Sequence, residues 1–310
     1  MKTLLAFRGF AILILATQWA NAVAAQSPPD SRRAGNADSD VDSADGWLSA
    51  WRYGGSAGIG FDSNPGNAEV GKMVPATGYG NAGLNAGWMR HTTDDSALQL
   101  RASVDAQQYF RYAGLSNLRA ALQVRELYRP GGGFFIPTFA VWGSAAGIGS
   151  RSSLRSGGEY RGGASVAEQI NTAIGLRLGG YASERDAGSD TLTLRHRSAT
   201  LDADWRLDER LSSHFGYEYR SGSFAISSPA DPGALALASA RQPDDTLAVD
   251  GVANIIYRLT GYAHIATFGL NYALSPALAL DAQMQKIHTQ ADSGDHYDRW
   301  LVEVSVLRRF

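Results

Sequence analysis

His264 and His288 are the imidazoles whose surroundings most resemble a reactive pair. They flank Ser275-Pro276 in runs where apolar and polar residues alternate: Phe268, Leu270, Tyr272 and Leu274 before it, Leu278, Leu280, Ala282 and Met284 after it. A period of two is that of a β-strand, whose side chains point to opposite faces in turn. A hairpin closed at Ser275-Pro276 makes the two imidazoles neighbours on the apolar face. They could serve as general bases for ester hydrolysis only with a nucleophile in hydrogen-bond reach. No Ser shares their face in a convincing register, and Thr267 and Thr289 have the opposite parity. The pair therefore reads as two interfacial histidines, and no catalytic residue is assigned.

The acidic stretch DSGDHYD places Asp292, Asp295 and Asp298 in one loop, where carboxylate oxygens could hold a hard cation. The simpler reading is a solvated surface loop, so no metal site is assigned. The chain has no Cys, which removes disulfides, thiolate metal sites and a Cys nucleophile. No Gly-rich phosphate loop opens a helix, so no cofactor is expected. The 28 basic and 30 acidic residues leave a net charge of -2, and no stretch is basic and aromatic enough for nucleic acid.

Charge instead recurs on one face of alternating runs. Arg52, Arg101, Asp105, Arg119, Arg125, Arg177, Asp202, Asp204, Arg206, Glu218, Arg220, Asp281 and Glu303 all occupy the polar parity of a run. Their apolar counterparts are sets such as Leu98, Leu100, Ala102 and Val104, or Leu118, Ala120, Leu122 and Val124. Trp51, Trp88, Trp142, Trp205 and Trp300 stand near run ends on the apolar side, as in an aromatic girdle. About twelve such runs follow Trp47, each about ten residues long, the length a tilted strand needs to cross a bilayer. Tight connectors (TTDDS, RPGGG, AEQIN, DERLS, Ser275-Pro276) alternate with mostly longer ones, of which 226–261 is the longest. The expected fold is all-β, a transmembrane antiparallel up-and-down β-barrel of about twelve strands, with these charges facing its lumen. The segment Ala234–Ala240 is apolar enough to fold inward as a constriction. A mean hydropathy of -0.20 argues against a helical membrane bundle but not a barrel, whose inner face is polar.

Residues 1–25, with Lys2 and Arg8 before an apolar run and small residues at 22–25, read as a cleaved secretory signal peptide. Residues 26–46, rich in Pro, Ser and Asp, read as a disordered periplasmic arm. The barrel is expected over 47–310.

The last run, RWLVEVSVLRRF, alternates Val302, Val304 and Val306 with Glu303 and Ser305 and reaches Phe310. An aromatic after alternating apolar residues resembles the signal read by the barrel-assembly machinery. Arg308 departs from it and would have to snorkel to the interface. GIGFDSNP (58–65) and LDERLSSHFGYEYRSGSF (207–224), with this last run, resemble the barrels of barrel-porin-type outer-membrane proteins and of surface lipoprotein assembly modifiers. The helical-repeat domain that the latter carry has no counterpart in 26–46. Asp62-Ser-Asn-Pro reads independently as turn residues leaving a strand.

The resulting expectation is an outer-membrane barrel of a Gram-negative bacterium, acting as a small porin or export channel for polar solutes such as oligosaccharides. Alternatives are a non-conducting barrel for assembly or surface interaction, and an outer-membrane lipid-modifying enzyme. Expected partners are the outer-membrane bilayer, the barrel-assembly machinery, and a polysaccharide or surface protein.

Overall fold

The computed structural model describes residues 51–68, 75–131, 135–229, 232–249 and 252–310. The signal peptide and the N-terminal arm expected over 1–46 lie outside the described residues.

Among these residues the chain forms thirteen strands: β1 (Trp51–Asp62), β2 (Thr77–Thr93), β3 (Ser96–Tyr109), β4 (Asn117–Tyr128), β5 (Thr138–Ser150), β6 (Gly157–Gln169), β7 (Ile174–Ala187), β8 (Leu194–Arg206), β9 (Leu211–Ser228), β10 (Ala240–Val249), β11 (Val252–Ser275), β12 (Leu278–Ala291) and β13 (His296–Arg309). One short helix, α1 (Pro232–Leu237), precedes β10. Apart from β10, every strand pairs antiparallel with its neighbours in sequence. β9 pairs with β11, and β1 closes on β13. The result is a closed twelve-stranded up-and-down barrel, with β10 as an extra strand along the far part of β11.

Closure follows from the registers. Ile59 pairs with Val304 and Phe61 with Val302 on one face, while Gly58 pairs with Ser305 and Gly60 with Glu303 on the other. The turns at the end where β1 begins and β13 finishes are tight because their polar residues satisfy the backbone locally. Asn171 Oδ1 accepts the N–H groups of Ala173 and Ile174. Asp208 Oδ1 accepts those of Arg210 and Leu211. Those two donors hold the Asp208 carboxyl below the usual carboxylate range. At the opposite end, three connections each contain a single 3-10 turn: Ala113–Leu115, Ser153–Arg155 and Asp190–Leu192.

The outer face is apolar and exposed. In β4 every even-numbered residue from Leu118 to Tyr128 is exposed and every odd-numbered one is partly covered. Leu122, Val141 and Leu178 are 54%, 66% and 56% exposed, an arrangement that is stable only against lipid. A closed barrel satisfies every strand hydrogen bond internally, as a bilayer demands. Tyr53, Tyr128, Trp205, Tyr272 and Phe310 ring the exterior near one end, and Tyr160, Tyr219 and Trp300 stand outward toward the other.

Trp142 departs from the expected girdle. Its neighbours Val141 and Gly143 are the exposed residues, and its ring lies 5.9 Å from that of Tyr181, two strands away on the inner face. The phase of that run was disguised by Pro137, which precedes the strand instead of interrupting it.

Candidate functional site: a charged inner wall beneath a spanned mouth

The charged residues of the polar parity all occur opposite the exposed apolar positions of their strands. Arg101 and Asp105 are on β3, Arg119 and Arg125 on β4, Arg177 on β7, Asp202, Asp204 and Arg206 on β8, Glu218 and Arg220 on β9, Asp281 on β12 and Glu303 on β13. Arg52 on β1 shares that parity; it and Arg206 are exposed near the tight-turn end. Side chains two strands apart touch only on the concave side of a barrel, and many of these do.

One wall, β4 to β9, carries a connected network. Glu159 on β6 accepts from Arg119 Nη2 at 3.0 Å, across β5, and forms an ion pair, without a hydrogen bond, with Arg161, whose Nε is 2.8 Å away. The Arg161 guanidinium lies 5.9 Å from the centre of the Tyr181 ring. Tyr181 Oη and Ser198 Oγ each donate to Glu218 Oε1 at 2.7 Å, and Arg220 Nε donates to the same oxygen at 2.8 Å. Arg125 Nη2 donates to Ser165 Oγ at 3.3 Å. Asp204 meets His214 Nδ1 at 2.9 Å, not its sequence neighbour Arg206.

The other wall is different in kind. Asn271 donates to Asp281, Gln285 to Thr267, and Tyr79 to Glu303 at 3.2 Å. Gly60 permits that last bond. A Cβ there would sit 2.3 Å from the Tyr79 ring, which lies across β1 to reach β13. β12 and β13 are half-way round the barrel from β5 and β6. The interior therefore sets a wall rich in guanidinium groups, with Glu159, Asp202, Asp204 and Glu218 among them, against carboxylates and amides on the other side. Each inner-face ion pair named here joins groups on one strand or on strands one or two apart, so the pairing runs along the wall. Charges confined this way are screened less than in bulk water.

Glu159, Arg161, Tyr181, Arg185 and His196 complete this wall without having been read from the sequence. The usable signal was parity around Glu159 and Arg161. It was masked because the outward positions of β6 include Gly162 and Ala164, which carry no apolar contrast.

The mouth opposite the tight turns is spanned by the long connection. Ala234 of α1 packs with Ile226, Tyr257, Leu259, Ala291 and Tyr297 on the inner side of β9 and β11 to β13. β10 then reaches across to connections half-way round. Arg155 Nη2 meets Asp244 at 2.9 Å, Ser152 Oγ donates to both oxygens of Asp245, and Leu247 packs against Ala68 and Tyr112. Asp244 also accepts from Ser227 at 2.6 Å and from the N–H groups of Thr246 and Leu247. The segment Ala234–Ala240, expected to fold inward, is thus part of a larger cap.

At the rim, Asp62 is fully buried and accepts a two-pronged bond from Arg299 (2.9 and 2.6 Å) and one from Tyr109 Oη at 3.0 Å. Asn64 bonds both ways with Ala68, closing a local turn. Asp-Ser-Asn-Pro is therefore a turn, as its composition implies, and also a clamp joining β1, β3 and β13.

His264 and His288 pair directly across β11 and β12, on the outer face. Tyr217 Oη is 2.7 Å from His264 Nδ1, and Asp298 is 2.9 Å from His288 Nδ1. Thr267 and Thr289 are buried on the opposite face. Asp295 accepts from Ser293 while Asp298 turns to His288. Among the described residues no three His, Cys, Asp or Glu side chains converge as metal ligands would.

No protein-family model matches the sequence, and no curated protein matches it. Solved structures do. An outer-membrane channel from Pseudomonas putida F1 superposes with a TM-score of 0.51 at 14% identity, covering 87% of this chain and 100% of that one. The NanC porin gives 0.46 at 8% identity, covering 83% and 100%. The outer-membrane channel DcaP of Acinetobacter baumannii gives 0.43 at 9%, covering 84% and 97%. At these identities the likeness is one of fold.

Proposed function

We propose that this barrel is a channel of the Gram-negative outer membrane, passing polar solutes such as oligosaccharides, with β10 and α1 as its gate. The observation that carries the reading is the inner wall. Arginines on β4 to β9 face carboxylates and amides on β12, β13 and β2, and their pairing runs along the wall. The likeness in fold to an outer-membrane channel supports it. The inward groups named above, Arg101 and Arg125 foremost, are the proposed selectivity determinants.

Planar-bilayer recording tests this. Arg101→Glu and Arg125→Glu each change local charge by two units and are expected to shift the reversal potential toward cations, with folded yield unchanged. Asp244→Ala with Asp245→Ala releases β10 from Arg155 and Ser152 and is expected to raise conductance severalfold. Absence of conductance in both wild type and the released variant would sink the channel reading. The spanned mouth specifically favours a second one, a non-conducting barrel that acts through its outer connections, in keeping with the assembly-modifier resemblance.

Destination is part of the proposal. Val302, Val304 and Val306 stand outward on β13, and Phe310 is 70% exposed with the Arg308 guanidinium 5.3 Å from its ring centre. If this run is read by the barrel-assembly machinery, deleting Phe310 should abolish insertion while secretion continues. Wild-type amounts of the truncated chain in the outer membrane, by fractionation, would refute that role.

A further inference from the structure

A cavity of about 490 Å³ opens on the outside of the barrel, on β6 to β9 near the spanned mouth. Its size falls within the range of small-molecule pockets, roughly 300–1,000 Å³. Its outward residues form two rows across the sheet. Tyr160, Glu184 and Arg195 are cross-strand partners in the upper row; Gly162, Ala182, Arg197 and Ser221 are partners in the lower one. The small residues make its floor, while the tyrosine and the two arginines stand around it.

The arginines stand outward at the edge of the lipid-facing surface, level with Tyr160 and just beyond Tyr219. Between Trp205, in the girdle at the other end, and Arg197 the strand advances about 26 Å at ~3.3 Å per residue. At a tilt of ~40° that is a rise of roughly 20 Å, close to the far edge of a ~25 Å apolar band. Arg195 is one outward position further on. Glu184 holds Arg195 from one side, through Nε at 2.9 Å and Nη2 at 2.6 Å. The Arg197 side chain is exposed and, among the described residues, has neither an ion-pair nor a hydrogen-bond partner. A cation at this depth is stable when an anion of the membrane itself meets it, and a guanidinium fork matches phosphate oxygens two at a time.

We propose that this groove binds an outer-leaflet lipid with a phosphorylated headgroup. Arg195 and Arg197 take the phosphate, the hydroxyls of Tyr160 and Ser221 bond the adjoining polar part, and an acyl chain lies over Gly162 and Ala182. The assignment is independent of whether the lumen conducts.

Native mass spectrometry of the folded protein in maltoside micelles tests it, with bis-phosphorylated lipid A as the probe. Lipid A should be retained, and Arg195→Ala with Arg197→Ala should weaken retention about tenfold or more. Gly162→Leu should weaken it similarly. A Cβ at 162 meets nothing closer than the Trp142 carbonyl oxygen at 3.8 Å, so the substitution fills the groove while keeping a lipid-facing position apolar. Arg308→Ala, at the other end of the barrel, should leave retention unchanged. Retention as in wild type by Gly162→Leu, or by the double variant, overturns the proposal. So does equal retention of fully dephosphorylated lipid A, which would leave the arginines without a role. Displacement of the lipid by millimolar inorganic phosphate would mark a free-anion site and overturn the lipid assignment.

Discussion

Asp62→Ala should lower the folding free energy by about 3–5 kcal/mol, the cost of removing one partner from a buried ion pair. The magnitude follows from what is stranded. The Arg299 guanidinium loses both of its bonds to the carboxylate and keeps only its contacts with Asn67 and Tyr109. Tyr109, itself 6% exposed, loses the acceptor of its hydroxyl. Water cannot compensate at a side chain with no exposure. Asp62→Asn should cost less, because its amide oxygen can still accept from Tyr109 and one Arg299 nitrogen, although the charge and the second acceptor are lost. Replacing both charges, Asp62→Ala with Arg299→Met, should cost less than the sum of the single changes, since no unpaired cation then remains buried. Equilibrium unfolding in urea, followed by the shift between folded and heat-denatured bands on gels, measures each. Equal costs for Asp62→Ala and a rim-exposed control such as Asp298→Ala would show that the clamp contributes nothing particular.

The second large effect separates the two faces of a single strand. Leu122→Arg places a cation on the outer face at the middle of β4 and should destabilise the barrel by roughly 2–4 kcal/mol, the range for a basic residue at bilayer mid-depth. Gln123→Arg, the next residue, faces inward between Arg101, its partner on β3, and Ser144 on β5. It adds charge to a polar wall and should fold nearly as well as wild type. Folded yield into lipid vesicles for the two variants gives the comparison. The reverse order, with Leu122→Arg tolerated and Gln123→Arg not, would place the register of β4 wrong by one residue.

The amino-acid sequence by itself determined which face of most strands meets lipid, β5 and β6 being the exceptions among the twelve of the barrel. A period of two needs no tertiary information: every second side chain shares a surface, and only lipid accepts the exposed leucines and valines of β3, β4 and β13. Runs of bilayer-spanning length set the barrel's size, and Asp208 and Asn171 specify tight turns through bonds two and three residues away. The same logic placed His264 opposite His288.

The tertiary structure decided how those faces are used. A charge on the inner face can pair with anything the barrel's curvature brings near, so parity predicts orientation but not partner. Asp204 meets His214, and Asp62 meets Arg299 only because closure puts β1 beside β13. The cap was illegible for a related reason. Residues 229–258 carry no sustained alternation, and β10 exists because Asp244, Asp245 and Leu247 find anchors on connections half-way round the ring. Trp142 turned inward because Tyr181, two strands on, offers a ring to pack against. The outer groove depends on Gly162 and Ala182 lying side by side in one cross-strand row with Arg197, a juxtaposition that strand register creates and that no single run displays.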